Sequence, residues 1–93
     1  MSDTVLTRPD EAIALRLIQV IRADAEARCA PDAVDLVSVT FDVAAAGADP
    51  AKLTYSPRVD RKTRTILFTG GAAQGDGATV MTATAVYRIT PQA

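Results

Sequence analysis

The sequence predicts one α+β domain, in which a single N-terminal helix packs against a mainly antiparallel sheet of four or more strands. Three observations predict it. Apolar residues recur at helical spacing only from residue 9 to about residue 28, and after that the period switches to two. No later connection is long enough to hold a crossover helix. At 93 residues the chain has the size of one domain, which we assign to residues 1–93.

The predicted helix begins near Pro9 and ends before Pro31, because proline suits a first turn but cannot continue the hydrogen-bond ladder. At about 100° per residue, four apolar residues share one face: Ile13, Leu17, Val20 and Ile21. Three more widen this arc: Ala14, Leu15 and Ile18. We therefore expect the helix to be buried on more than half of its surface.

Two alternating segments follow the helix. The first predicted strand has its apolar row at Val37, Val39, Phe41 and Val43. The second has its row at Leu53, Tyr55, Pro57 and Val59. Pro57 lacks an N–H, which indicates an edge or a bulge. Residues 60–62 are predicted to form the turn that ends this segment.

The last two strands are joined by a hairpin. In the third strand Ile66 and Phe68 face one way and Leu67 the other, and Gly70 with Gly71 indicates a bend or bulge. Residues 75–77, Gly-Asp-Gly, predict a tight turn. The fourth strand runs from about residue 78 to residue 90. Its apolar face comprises Met81, Ala83, Ala85, Tyr87 and Ile89.

Composition excludes several classes of function. The chain has no histidine, which excludes Ser-His-Asp triads within it, and its one cysteine leaves no set of metal ligands. A net charge of −1 and 4% aromatic residues argue against a nucleic-acid partner. Charges interrupt every apolar stretch, so no membrane span is expected. The single Cys29 and the lack of a recognisable secretion signal favour a cytoplasmic protein.

Three segments carry a resemblance to a known family: Val34–Phe41, Arg58–Phe68 and Asp76–Ile89. The last, with its run of small residues and threonines, is similar to the closing strand of phenylacetate-type acyl-CoA thioesterases, which have the hotdog fold. The resemblance implies an acyl-CoA thioester as substrate or ligand, coenzyme A only as part of that substrate, and a homodimer or tetramer with sites between subunits. Few residues precede Thr7, so we expect a version shortened at the N-terminus, without the family's His-Gly-Gly-type segment.

One acidic residue of the helix is the candidate for catalysis. The stretch Arg22-Ala23-Asp24-Ala25 resembles the family's x-A-D-x motif, which implies that Asp24 acts as base or nucleophile. In helical projection Asp24 also falls between Leu17 and Val20, inside the apolar arc, where an unpaired acid is costly. The alternative is that the helix frays there and Asp24 is solvated. Asp10 and Glu11 are more simply explained by the helix dipole.

Four cations in seven residues form the predicted binding cluster for coenzyme A phosphates, and we call them the basic cluster: Arg58, Arg61, Lys62 and Arg64. The alternative is a solvated turn with charged strand edges. Tyr55 and Tyr87 are interpreted as core or interface residues.

Three functions stay open at this point. The first is hydrolysis of an acyl thioester. The second is a non-catalytic hotdog protein that binds an acyl group or a partner protein, as the missing histidine suggests. The third is a cone-shaped ligand-binding domain of the nuclear-transport-factor type, which normally has more helices before its sheet.

Overall fold

A computed structural model describes residues 8–92 and contains one long helix and four strands. The elements are α1 (Pro9–Cys29), β1 (Ala33–Val43), a 3-10 turn (Pro50–Lys52), β2 (Thr54–Lys62), β3 (Ile66–Gly75) and β4 (Ala78–Thr90). The predicted α+β class is confirmed: α1 packs against one face of an antiparallel sheet. Within the described residues, no helix is both long and apolar enough to cross a membrane.

The sheet has the strand order β1-β4-β3-β2, and every neighbouring pair is antiparallel. In residues 8–92, β1 and β2 are therefore the outer strands. The predicted hairpin joins β3 to β4, with Asp76 at φ 52° and Gly77 at φ 77°. Both angles are positive, as a tight hairpin turn of the primed type requires.

The core lies between α1 and the central strands. The alternation predicted for the last strand is confirmed, because its apolar row is buried against the helix: Met81, Ala83, Ala85, Tyr87 and Ile89. Small residues let the helix come close to the sheet. A Cβ added at Gly71 would lie 3.0 Å from Cγ1 of Ile21, so glycine at this position admits the helix.

The helix buries a narrower stripe than its apolar arc predicts. The buried residues recur every four positions: Ile13, Leu17, Ile21, Ala25 and Cys29. Leu15 is 57% exposed, so the expectation that more than half of the helix surface is buried is wrong. The physical reason is that, in the described part of the chain, α1 has a single layer to pack on, the sheet, and its far side has none.

Three details of the strands also differ from expectation. Val37 occupies a bulge between Leu36 and Ser38, and so it leaves the row of Val39. Residues 60–62 are not a turn but continue β2, which is bulged between Val59 and Arg61. Gly70 and Gly71 cause no shift of register; the irregularity in the pairing of β3 with β4 lies opposite residues 73 and 74, where Val80 of β4 is the extra residue. A bulge inserts one residue and changes the face of all that follow, which alternation cannot show.

Candidate functional site

A cleft of about 400 Å³ lies between α1 and the outer strand β1, and we call it the helix–β1 cleft. Its lining residues come from three elements: Leu15, Ile18, Gln19 and Arg22 of α1, Val34, Asp35 and Leu36 of β1, and Tyr87 of β4. Half of these side chains are aliphatic. A mainly apolar concavity with a few polar groups is the usual form of a small-molecule site.

Exposed apolar side chains of β1 lie beside this cleft. Leu36 lies opposite Tyr87 on the helix side of the sheet, yet it is 50% exposed. On that side of β1 Val34 is buried and Val39 and Phe41 are partly buried against the core, whereas Val43 is 52% exposed. The cleft thus opens along the free edge of the sheet, beside apolar side chains that nothing covers in the described residues.

Tyr87 brings a buried hydroxyl to this cleft. The residue is 1% exposed, and its Oη makes no hydrogen bond within the described structure. Burial raises the pKa of the Tyr87 phenol above its ordinary value, and Glu26 raises it further, while the guanidinium of Arg22 opposes both. The phenol therefore keeps its proton at neutral pH and remains a donor.

The other flank of the helix carries a second cleft, of about 550 Å³, which we call the helix–β2 cleft. Its lining residues are Ala12, Leu15, Arg16, Gln19, Pro50, Ala51, Leu53 and Tyr55. Here the polar groups find partners inside the chain. Tyr55 Oη donates to the carbonyl of Pro50 at 2.9 Å, and Arg16 Cζ lies 5.7 Å from the centre of the Tyr55 ring.

Asp24 lies near the C-terminal end of α1 and lines neither cleft. Its side chain is 24% exposed, and Oδ2 accepts a hydrogen bond from Nε of Arg28 at 2.8 Å. The helix continues past it to Cys29, so the frayed, solvated alternative does not hold. The carboxylate is partly buried and held in an ion pair. Asp10 lies in the first turn of α1, where its Oδ1 accepts a hydrogen bond from the backbone N–H of Glu11 at 2.9 Å.

The structure divides the basic cluster between two faces of the sheet. Arg58 lies above Gly70 on the face away from the helix, and its Nε donates to Asp60 Oδ1 at 2.8 Å. Arg61 pairs with Phe68 on that same face. Lys62 is on the helix side, where Nζ donates to the carbonyl of Arg28 at 3.4 Å. Arg64 is exposed in the turn before β3. Adjacent residues of a strand point to opposite faces, so residues 61 and 62 are always divided, and the bulge in β2 decides that Arg61 is the one on the face of Arg58.

Sequence reasoning treated Tyr87 as a core or interface residue and missed the cleft around it. The signal available in the sequence was weak. Tyr87 is the one large polar-tipped residue on a strand face that otherwise carries methionine, alanine and isoleucine. A buried tyrosine hydroxyl normally finds a partner, but which hydroxyl lacks one depends on the surrounding fold.

Comparisons with known proteins show a likeness of fold. No family model matches the chain, and no curated protein sequence matches it. Among solved structures, it is similar to the BH2602 protein from Bacillus halodurans, crystallised with CoA, at a TM-score of 0.72 and 12% identity. The match covers 82% of this chain and 51% of that one, so the chain spans about half the length of that protein. The helix on its antiparallel sheet is thus a hotdog-like fold.

Proposed function

We propose that this protein binds an acyl thioester of coenzyme A, with the acyl group in the helix–β1 cleft. The observation that carries the proposal is this apolar cleft in a fold shared with a protein crystallised with CoA. The aliphatic side chains of Ile18, Val34 and Leu36 suit an acyl chain, whose transfer from water to an apolar surface is favourable. Gln19 and Arg22 at the same cleft supply polar contacts.

The test is calorimetric titration of the full chain with coenzyme A and with butyryl- and hexanoyl-CoA. We expect the affinity to rise with acyl length, because each buried methylene contributes about 0.8 kcal/mol. Ile18→Asp should remove this dependence on length, while Ala27→Asp, an exposed helix position outside the cleft, should preserve it. Equal affinity for all three ligands would contradict an acyl site here.

The basic cluster stays the proposed contact for the phosphates. Within one chain it lies at the β2 edge, whereas the helix–β1 cleft lies at the β1 edge. Arg61→Glu should therefore weaken binding of coenzyme A if the cluster holds the phosphates. Arg22→Glu serves as the competing variant, because Arg22 lines the cleft itself. If only Arg22→Glu loses affinity for coenzyme A, the phosphates are not bound by the basic cluster.

Hydrolysis, with Asp24 as base or nucleophile, is the further part of the proposal. Binding has the better geometric support, since Asp24 is paired with Arg28 and lines neither cleft. Hydrolysis is tested by measuring the release of free thiol from a panel of acyl-CoAs, with Asp24→Asn as the variant and Glu26→Gln as the control. Turnover that survives in Asp24→Asn would rule out this role for Asp24.

We also propose that a second copy of the chain covers β1. Among the described residues β1 pairs only with β4, so its outer side offers backbone N–H and C=O groups to another strand. Three large apolar side chains lie exposed along it: Leu36, Val37 and Val43, at 50%, 55% and 52%. A second copy is the fitting partner, because an antiparallel strand pair can be symmetric about a twofold axis.

A further inference from the structure

We infer that the hydroxyl of Tyr87 donates a hydrogen bond to a carbonyl oxygen of the ligand in the helix–β1 cleft, and so selects acyl compounds over alkyl compounds of equal length. The inference rests on the proposed function, because it takes the acyl-CoA site as given. It adds the residue that recognises the polar atom of the acyl group.

The unpaired state of Tyr87 Oη sets it apart from the other buried polar side chain of the core. Thr69 is 3% exposed, and its Oγ1 donates to the carbonyl of Ala85 at 2.8 Å. Tyr87 is 1% exposed and its hydroxyl has no such partner in the described residues. A buried donor without an acceptor costs folding free energy, and native proteins keep few of them.

The position of Tyr87 explains what would accept its hydrogen bond. The residue lines the helix–β1 cleft with Ile18, Val34 and Leu36, which have no acceptor in their side chains. The lining residues that do carry acceptors, Gln19 and Asp35, are exposed and make no hydrogen bond to it. A ligand carbonyl placed in this apolar surrounding would give the hydroxyl its acceptor and leave the rest of the acyl group against aliphatic walls. A thioether or alkyl group of the same length fills the same space and leaves the donor unpaired.

Arg22 is the side chain that a ligand would displace to reach the hydroxyl. It lines the same cleft, and its charge acts on the Tyr87 phenol. Its ion pair with Glu26 joins Nε to Oε2 at 3.3 Å, with the two side chains 65% and 54% exposed. Exposed pairs of this kind hold a side chain weakly, so its movement opens the cleft at low cost.

The experiment uses two non-hydrolysable compounds that differ only in the carbonyl: S-(2-oxopentyl)-CoA and S-pentyl-CoA. By calorimetry the native chain should bind the ketone about tenfold more tightly, the effect of one hydrogen bond in an apolar site. Tyr87→Phe should bind the two with equal affinity. Tyr55→Phe is the matched control and should keep the tenfold preference, since the Tyr55 hydroxyl is already bonded to Pro50.

Thermal unfolding separates this role from a structural one. Tyr87→Phe should keep or raise the melting temperature, because the variant removes a donor that lacks an acceptor. Tyr55→Phe should lower it by about 4–8 °C, the shift expected for about one lost hydrogen bond in a domain of this size. If Tyr87→Phe lowers the melting temperature and keeps the preference for the ketone, the hydroxyl has a structural role and the inference is overturned.

A second measurement does not depend on the stability of Tyr87→Phe. Tyr55→Phe labelled with 3-fluorotyrosine carries a single fluorine, at position 87, because the chain has two tyrosines. Its resonance should move further with S-(2-oxopentyl)-CoA than with S-pentyl-CoA. Equal binding of both compounds with equal shifts overturns the inference and leaves the proposed function standing. Binding of neither compound, nor of coenzyme A, overturns both.

Discussion

The two flanks of α1 carry the same kind of residue in different states. On the β2 flank the hydroxyl of Tyr55 has an acceptor, the carbonyl of Pro50, which the 3-10 turn supplies. On the β1 flank the hydroxyl of Tyr87 has none in the described residues, and the sheet ends in exposed apolar side chains. The difference shows that a local turn pairs the hydroxyl of one flank, while in the described residues the other flank keeps an unpaired hydroxyl beside exposed apolar side chains.

The largest expected effect tests the core that the two flanks share. Leu17→Ala should reduce the free energy of unfolding by about 2–5 kcal/mol, because Leu17 is 0% exposed and its removal leaves a cavity. Urea denaturation followed by circular dichroism measures it. Leu15→Ala is the control: Leu15 is 57% exposed, and the change should stay within about 0.5 kcal/mol.

Equal losses in the two leucine variants would contradict the narrow buried stripe of α1. A loss for Leu15→Ala that grows with protein concentration would instead place Leu15 in a subunit interface and sharpen the contrast between the flanks.

The next effect tests the open flank itself. Val37→Lys should convert a dimer to monomers, because it places a charge in the bulge of β1, where a second copy is proposed to pair. We expect the dimer dissociation constant, measured by analytical ultracentrifugation, to rise at least tenfold, which is a loss of about 1.4 kcal/mol of association free energy. Ala27→Lys, at an exposed helix position, should leave the association unchanged. A native chain that sediments as a monomer at every concentration would exclude the dimer.

The smallest effect compares the two ion pairs of the helix. Asp24→Asn should lower the free energy of unfolding by about 0.3–0.5 kcal/mol, the usual contribution of a helical pair four residues apart. Glu26→Gln should cost less, since the Arg22–Glu26 pair is longer and more exposed. The difference is measured by urea denaturation at low salt. If this difference between the variants disappears in high salt, its origin is electrostatic. A larger fall in the free energy of unfolding for Glu26→Gln than for Asp24→Asn would contradict the geometry.

Strong periodic signals predicted the elements of the fold well. The helix begins at Pro9 as expected and ends one residue beyond the predicted Arg28, and the last strand has its predicted bounds and its predicted buried face. These succeed because apolar spacing, a proline stop and a Gly-Asp-Gly hairpin are local constraints, each carried by a few neighbouring residues. The misplaced turn at residues 60–62 and the misplaced Val37 have one cause, because bulges follow from strand pairing and leave little local signal.

The sequence by itself determined that one helix would lie on an antiparallel sheet, that the row from Met81 to Ile89 would share one face of the last strand, and that no histidine chemistry is open to the chain. Only the tertiary structure decided what surrounds the polar groups. It joined Asp24 to Arg28, divided the basic cluster between two faces, and left the Tyr87 hydroxyl unpaired at a cleft beside β1. Periodicity assigns a side chain to a face, whereas hydrogen-bond partners depend on residues distant in the sequence, which only the packed elements bring together.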